Sequence, residues 1–260
     1  MSFPGLTGES RRLDSRFRGN DILIYFKIMN LLEKIYLWFR DLVSQPGERG
    51  LSSAGYWQNI LRRNVLERLV KAEGGLLEIG CGEGLFLEQL SRINPRLRLF
   101  GIEREGAVLS GAKSRLNSDI RLVASDALRL AFKDASFEWV VGVNLSICVE
   151  SGEALAEILR EAGRALKPGA RLIIEFRNKG NIFLRLKYKW AGHYDSTTQN
   201  HPLSVYYKKD VLDILGEAGF KVNRIQEIDF PFKGLAAIFI VEAQKKGSES
   251  FLTDGKGQEK

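Results

Sequence analysis

From Leu76 onward, short apolar runs alternate with amphipathic stretches, the pattern of a parallel sheet whose crossover helices cover its faces. The runs Leu76–Gly80, Leu97–Glu103, Ile120–Ala124, Phe137–Val143 and Arg171–Phe176 predict five strands. Between them the spacing predicts helices over Glu105–Leu116 and Glu153–Leu166, the latter ended by Lys167-Pro168-Gly169. A helix over Lys209–Ala218 closes at Gly219, and two strands follow, Lys221–Phe230 and Leu235–Ala243. With no crossover helix between them, these two pair antiparallel through the turn Pro231-Phe232-Lys233-Gly234.

Ahead of Leu76 the period changes. Leu31, Leu32, Ile35, Leu37, Trp38, Phe39 and Val43 mark a helix from Met29 that Gln45-Pro46-Gly47 ends. A second helix is predicted from Tyr56 to Ala72, with Ile60, Leu61, Val65, Leu66, Leu69 and Val70 on one face and Gly74-Gly75 as its break. Residues 29–75 therefore read as an N-terminal helical segment and 76–243 as the principal domain. Residues 1–28 are polar, arginine-rich and aperiodic, and resemble a translated repetitive element found at the front of some bacterial gene models. The expectation is a disordered or non-native extension, with Met29 as the native start. Residues 244–260 are polar and glycine-containing, a flexible tail.

Composition narrows the classes. The chain has 260 residues, 44% hydrophobic and 27% charged, the balance of a globular protein with a substantial core. Its net charge of +7 permits an anionic partner without demanding a nucleic-acid groove. No apolar run approaches the roughly eighteen residues of a membrane span, and no signal peptide with a cleavage site is read. Two cysteines, Cys81 and Cys148, are too few for a disulfide framework or a zinc site. Two histidines, His193 and His201, argue against a histidine-rich metal centre. The expectation is a reduced, cytoplasmic, metal-independent protein.

The sharpest chemical signal is Leu76-Leu77-Glu78-Ile79-Gly80-Cys81-Gly82-Glu83-Gly84-Leu85-Phe86. A strand enters three glycines at alternate positions and then a helix, so the backbone turns sharply and a ligand can lie against it. The start of the following helix favours an anionic or polar ligand group. The dinucleotide fingerprint spaces its glycines as Gly-x-Gly-x-x-Gly, whereas Leu85 stands where the third belongs. That departure disfavours a nicotinamide-dependent oxidoreductase. Glu103 ends the second strand about twenty residues past the loop, where a carboxylate can accept both hydroxyls of a ribose. Asp126, in Ser125-Asp126-Ala127, places another acid at the same sheet edge. Cys81 fills a loop position that favours small residues, so no redox or nucleophilic role is assigned to it.

Taken together, Glu78-x-Gly80-x-Gly82-x-Gly84, Glu103, Ser125-Asp126-Ala127 and Leu166-Lys167-Pro168-Gly169 resemble the successive motifs of the class I S-adenosylmethionine-dependent methyltransferases. The resemblance covers about residues 54–243. It implies a Rossmann-like three-layer α/β/α sandwich, with a seven-stranded, mostly parallel sheet whose last strand is antiparallel. It also implies S-adenosyl-L-methionine as cofactor. Gly80, Cys81, Gly82 and Gly84 would wrap its methionine part, and Glu78 would orient the loop and the amino group. Glu103 would hold the ribose hydroxyls, and Asp126 with Ala127 would frame the adenine. Asn144 falls at the reacting edge, and Tyr56 would close over the cofactor from the N-terminal helix.

The acceptor is less defined. His193 and His201 lie in the segment after the fifth strand and are the proton acceptors such a transfer would draw on. From Arg177 to Asp210 seven basic residues face two acids, Asp195 and Asp210, and are interleaved with Phe183, Tyr188, Trp190, Tyr194, Tyr206 and Tyr207. This basic aromatic insert, 177–208, reads either as a cap for an anionic or amphiphilic acceptor or as a solvated face. A small-molecule, lipid or glycan acceptor leads, with peripheral membrane contact as an accompaniment. RNA is the weaker acceptor, because Val143-Asn144-Leu145-Ser146-Ile147 lacks the Asn/Asp-Pro-Pro-aromatic motif of exocyclic-amine base methyltransferases and no Pro-Cys nucleophile occurs. A catalytically silent cofactor-binding module is the third reading. Oligomeric state is not legible in the chain.

Overall fold

The structure, a computed structural model, describes residues 56–194, 203–230 and 232–247. The expected extension at 1–28, the Met29 helix, His201 and most of the tail lie outside the described residues. In chain order the elements are α1 (Tyr56–Leu69), β1 (Gly75–Ile79), α2 (Leu85–Ile93), β2 (Arg98–Glu103), α3 (Gly106–Arg115), β3 (Arg121–Ala124) and β4 (Phe137–Gly142). A short 3-10 turn, Ser146–Cys148, follows, then α4 (Gly152–Ala165), β5 (Leu166–Arg177), α5 (Ile182–Tyr194), α6 (Lys208–Glu217), β6 (Phe220–Asp229) and β7 (Ala236–Lys245).

Seven strands form one sheet in the order β3-β2-β1-β4-β5-β7-β6. The first five strands run parallel, while β7 is antiparallel to both β5 and β6. The central strands are apolar on both sides because both faces are covered; all five residues of β1 are buried. On one face Leu61, Val65 and Leu69 of α1, Leu87 and Leu90 of α2 and Leu109 of α3 pack with Leu76, Val141 and Ile240. On the other, Leu155, Ile158 and Leu159 of α4 and Val211 and Leu215 of α6 pack with Leu77, Val140 and Leu172. The result is the expected three-layer α/β/α sandwich. Helix α1 is part of it: Asn94 donates to the carbonyls of Leu69 (2.8 Å) and Ala72 (2.7 Å), fixing the exit of α1 against α2.

Three elements depart from the sequence reading. The turn expected at Lys167-Pro168-Gly169 lies inside β5, which already pairs at Phe137↔Leu166 before its register shifts and resumes at Trp139↔Arg171. Gly169 supplies the positive φ (75°) of that irregularity, so the Pro-Gly pair bends the strand from within and does not precede it. The intervening segment holds a helix, α5, that no spacing argument had placed. The final strand takes in Gln244 and Lys245, which pair with Lys221 and Phe220.

Strand order reverses between β1 and β4, whose successors run outward in opposite directions. A parallel sheet opens a ligand-binding crevice beyond the carboxyl ends of its strands at such a point. The glycine loop, Glu103 and Asn144 all stand there.

Candidate functional site

The loop after β1 is set by backbone conformation. Gly80, Gly82 and Gly84 have φ of 71°, 52° and 80°, a region side-chain-bearing residues rarely occupy. The Cys81 N–H donates to the Ile102 carbonyl (2.8 Å), and the Gly84 N–H donates to the Cys81 carbonyl (2.8 Å), closing the turn into α2. A side chain on Gly84 would strike Leu116 at 2.5 Å, whereas one on Gly82 would meet nothing within 4 Å. The loop is packed behind and open in front.

Glu103 is locked to this loop. Its carboxylate accepts from the Gly82 N–H (3.0 Å) and from the Glu105 N–H (3.0 Å), one bond on each oxygen. Each carboxylate oxygen keeps acceptor capacity beyond those bonds, so a diol can still be held. The Cys81 thiol is buried, and burial together with Glu78 and Glu103 pushes its pKa well above the ordinary thiol range. It stays protonated and contributes backbone and volume, with no nucleophilic thiolate.

Glu78, at the end of β1, is 2% exposed, and its Oε2 finds no hydrogen-bond partner among the described residues. Burial drives its carboxyl well above the usual range, Arg62 of α1 pulls the other way, and Glu103 adds to the rise. Arg62 is itself buried, and burial lowers its pKa while Glu78 supports its charge. Sequence reasoning missed Arg62, although the signal was there: it shares a helical face with the buried Leu66 and Leu69. A carboxyl whose pKa rises on folding binds its proton more tightly in the native state. The native state therefore has its full advantage below the unfolded carboxylate range and loses it as pH climbs through the folded pKa. Glu78→Gln cannot titrate. Its melting temperature should gain on that of the native sequence as pH rises from about 4 to 8, a range that starts near the ordinary carboxyl pKa. Parallel melting curves across that range would show that the Glu78 pKa does not change on folding.

A polar cluster that sequence reasoning also missed stands at the carboxyl end of β5. Glu175 and Arg177 project from the end of β5 as an ion pair, with side chains 1% and 5% exposed. Arg177 also donates through Nη2 to Asn144 Oδ1 (2.8 Å) and through Nε to the Tyr188 hydroxyl of α5 (3.1 Å). Asn144 sits at φ 58°, a left-handed position that asparagine tolerates better than most residues. Leu145 then turns back, its Cδ1 standing 3.2 Å from where a Cβ on Gly80 would be. Burial raises the Glu175 carboxyl pKa, and the Arg177 guanidinium opposes it. Two charged residues in a buried apolar strand, Ile173-Ile174-Glu175-Phe176-Arg177, were the available signal.

The remaining expected site residues lie on other elements. Asp126 is exposed at the end of β3 and accepts from the Leu128 N–H (2.9 Å), which shapes a turn with half-buried Ala127 at its bend. Tyr56 begins α1, and His193 lies in the last turn of α5. The structure brings together Glu78, Gly80, Cys81, Gly82, Gly84, Glu103 and Asn144, and puts Asp126 and Ala127 on the same sheet edge.

This donor set suits a nucleoside that carries both an ammonium and a diol: a buried carboxyl with an unpartnered oxygen, a second carboxylate pinned by the loop, and clear space over Gly82. Residues 76–169 match the family described as methyltransferase domain. The chain is 28% identical over 180 residues to a malonyl-[acyl-carrier protein] O-methyltransferase of Paenibacillus sp. (strain JDR-2), an alignment covering 64% of this chain and 63% of that protein. It is 30% identical over 121 residues to a ubiquinone biosynthesis O-methyltransferase of Xanthomonas oryzae pv. oryzae, covering 44% and 48%. A tRNA (carboxymethyluridine(34)-5-O)-methyltransferase of Saccharomyces cerevisiae is 24% identical over 98 residues, covering 38% and 33%. The chain thus spans less than two thirds of the length of these curated relatives. In fold it superposes on a SAM-dependent methyltransferase from Methanosarcina mazei with a TM-score of 0.55 at 20% identity, covering 70% of this chain and 97% of that one. Residues 76–169 thus match a methyltransferase domain, and they lie in a seven-stranded sheet that shares its fold with a solved SAM-dependent methyltransferase.

Proposed function

We propose that the protein transfers a methyl group from S-adenosyl-L-methionine to oxygen or nitrogen of a small-molecule, lipid or glycan acceptor. The observation that carries this reading is the latch between loop and sugar carboxylate: Gly82, at positive φ, donates to the Glu103 carboxylate beside the strand order's reversal point. When bound, the cofactor supplies a methyl group already activated by a sulfonium, so the protein's task is alignment. In that reading Gly80, Cys81, Gly82 and Gly84 line the methionine part, Glu78 takes the ammonium and Glu103 takes the ribose. Asp126 and Ala127 border the base, and Asn144 faces the reacting edge. His193 and His201 are the groups we assign to removing the acceptor's proton, and Tyr56 to covering the cofactor.

The relatives that act on malonyl-[acyl-carrier protein] and in ubiquinone biosynthesis support an acidic or amphiphilic small acceptor. The tRNA-modifying relative supports the second reading, an RNA acceptor reached through the basic insert. The two separate in one experiment. Purified protein is given methyl-labelled S-adenosylmethionine with lipid, polysaccharide, small-molecule and RNA fractions of a cell extract. Label in one of the first three supports the proposal, and label in RNA overturns its acceptor class. Saturable cofactor binding with no label anywhere would leave a silent binding module.

A further inference from the structure

Helix α5 and the β6–β7 turn make an apolar surface that the methyl-transfer site does not use. Ile182, Phe183 and Leu186 of α5 are exposed, as are Phe232 and Leu235 of the turn, with Phe232 65% and Ile182 58% accessible. The two elements act as one surface. Asn181 donates from the start of α5 to the carbonyls of Phe230 (2.8 Å) and Leu235 (3.1 Å), and the rings of Phe183 and Phe232 meet edge to face with centroids 6.2 Å apart. Monomeric proteins rarely leave such a contiguous apolar patch without a partner.

The charge around the patch indicates which partner. Exposed Lys179, Arg185 and Lys189 flank it along the chain and Lys233 lies in the turn, where Asp229 accepts from the Gly234 N–H (3.0 Å), and the sequence from Arg177 to Tyr194 contains no acid. Among the described residues none of these four forms an ion pair. Lys179 instead stands over the Tyr207 ring, 5.0 Å from its centroid. Apolar side chains at the centre with long cations at the rim are the chemistry of an interfacial helix against anionic headgroups. A second copy of a chain with net charge +7 would bring like charges together.

Position adds a reason. Strand β6 is parallel to β5, so the turn after β6 and the start of α5 both lie at the carboxyl edge of the sheet. That is the edge that bears the glycine loop and Glu103. We propose that this surface docks the protein on an anionic lipid bilayer, with the site's edge turned toward the membrane. The inference goes beyond methyl transfer and does not depend on it.

The test is co-sedimentation of the full chain with phosphatidylcholine vesicles, with and without phosphatidylglycerol. Binding should need phosphatidylglycerol and weaken in high salt. Neutralising three cations together, Arg185→Gln, Lys189→Gln and Lys233→Gln, should reduce vesicle partitioning on the order of a hundred-fold, taking the usual contribution of each basic residue near an anionic surface. Phe232→Asp should reduce it at least about ten-fold by placing a charge in the apolar centre. All variants should keep the native melting temperature and affinity for S-adenosylhomocysteine, which separates loss of docking from loss of fold or of cofactor site. Failure of the native protein to bind either vesicle, or binding that ignores these substitutions, overturns the proposal. So does a concentration-dependent dimer that Phe232→Asp dissociates, because a second copy would then occupy the patch.

Discussion

Arg177→Ala should lower the unfolding midpoint by roughly 6–20 °C, far more than any surface substitution in the chain. The guanidinium is the hub of the cluster at the end of β5, serving Glu175, Asn144 and Tyr188 at once. Truncation removes one charge of a buried pair and strands the other, a change that costs about 3–5 kcal/mol. A domain of this size shifts by about 2–4 °C per kcal/mol. The stranded charge, and not the lost packing, should dominate. Adding Glu175→Gln to Arg177→Ala should therefore restore part of the lost midpoint, with a coupling of about 0.5–3 kcal/mol in the double-mutant cycle. Simple additivity of the two changes would mean that the residues do not act as a pair. Arg177→Lys should fall between, since a single ammonium cannot reproduce a planar fork that donates in three directions.

The contrast between that cluster and the glycine loop shows which parts of the site a sequence discloses. Positive φ at Gly80, Gly82 and Gly84 is a local property, and glycine at alternate positions after an apolar strand states it directly. The strands around it were legible for a similar reason. A strand buried on both faces must be an apolar run, and β1, β2 and β4 were placed within a residue or so of their observed ends. The Glu175–Arg177–Asn144–Tyr188 cluster is tertiary. Its members come from β5, the turn after β4 and α5, and nothing at the level of neighbouring residues says that they meet. Arg62 facing Glu78 belongs to the same class, since only the packing of α1 on the sheet brings the two together.

Helix α5 was illegible for a different reason. Ile182, Leu184, Leu186, Tyr188 and Trp190 alternate with Phe183, Arg185, Lys187 and Lys189, a period of two that suggests an exposed strand more than a helix. The helix is anchored at its start: Leu184 is buried, and Asn181 Oδ1 accepts from the Leu184 N–H (2.9 Å) to set the first turn. An apolar residue at nearly every second position then leaves some of them facing outward on any helix. The same residues that hid the element thus produced the exposed apolar surface. At Lys167-Pro168-Gly169 the local signal was read correctly as the stop of the preceding helix, which ends at Ala165, and wrongly as a turn ahead of the strand, because the pairing of Leu166 with Phe137 is again a long-range fact.

Glu103→Ala should weaken S-adenosylhomocysteine binding ten- to a hundred-fold, the largest functional effect expected of any single side chain here. Hydrogen bonds to a charged group contribute about 1.5–3 kcal/mol, which converts to that range of affinity. The carboxylate has two duties, and they can be separated. In the unliganded protein it accepts from the Gly82 and Glu105 N–H groups, so its removal also frees the loop at its most open point. Loss of those loop bonds should cost the fold only about 1 kcal/mol, because Gly82 and Glu105 can turn to water. A small drop in melting temperature with a large drop in affinity by calorimetry therefore marks a ligand-holding role. Glu103→Gln keeps one acceptor oxygen but presents an amide N–H₂ toward a backbone donor, and should lose affinity nearly as far. Asp126→Ala, whose carboxylate shapes an exposed turn, should change binding much less. Unchanged affinity in Glu103→Ala would place the sugar elsewhere and remove the main support for a nucleoside at the Gly80–Gly84 loop.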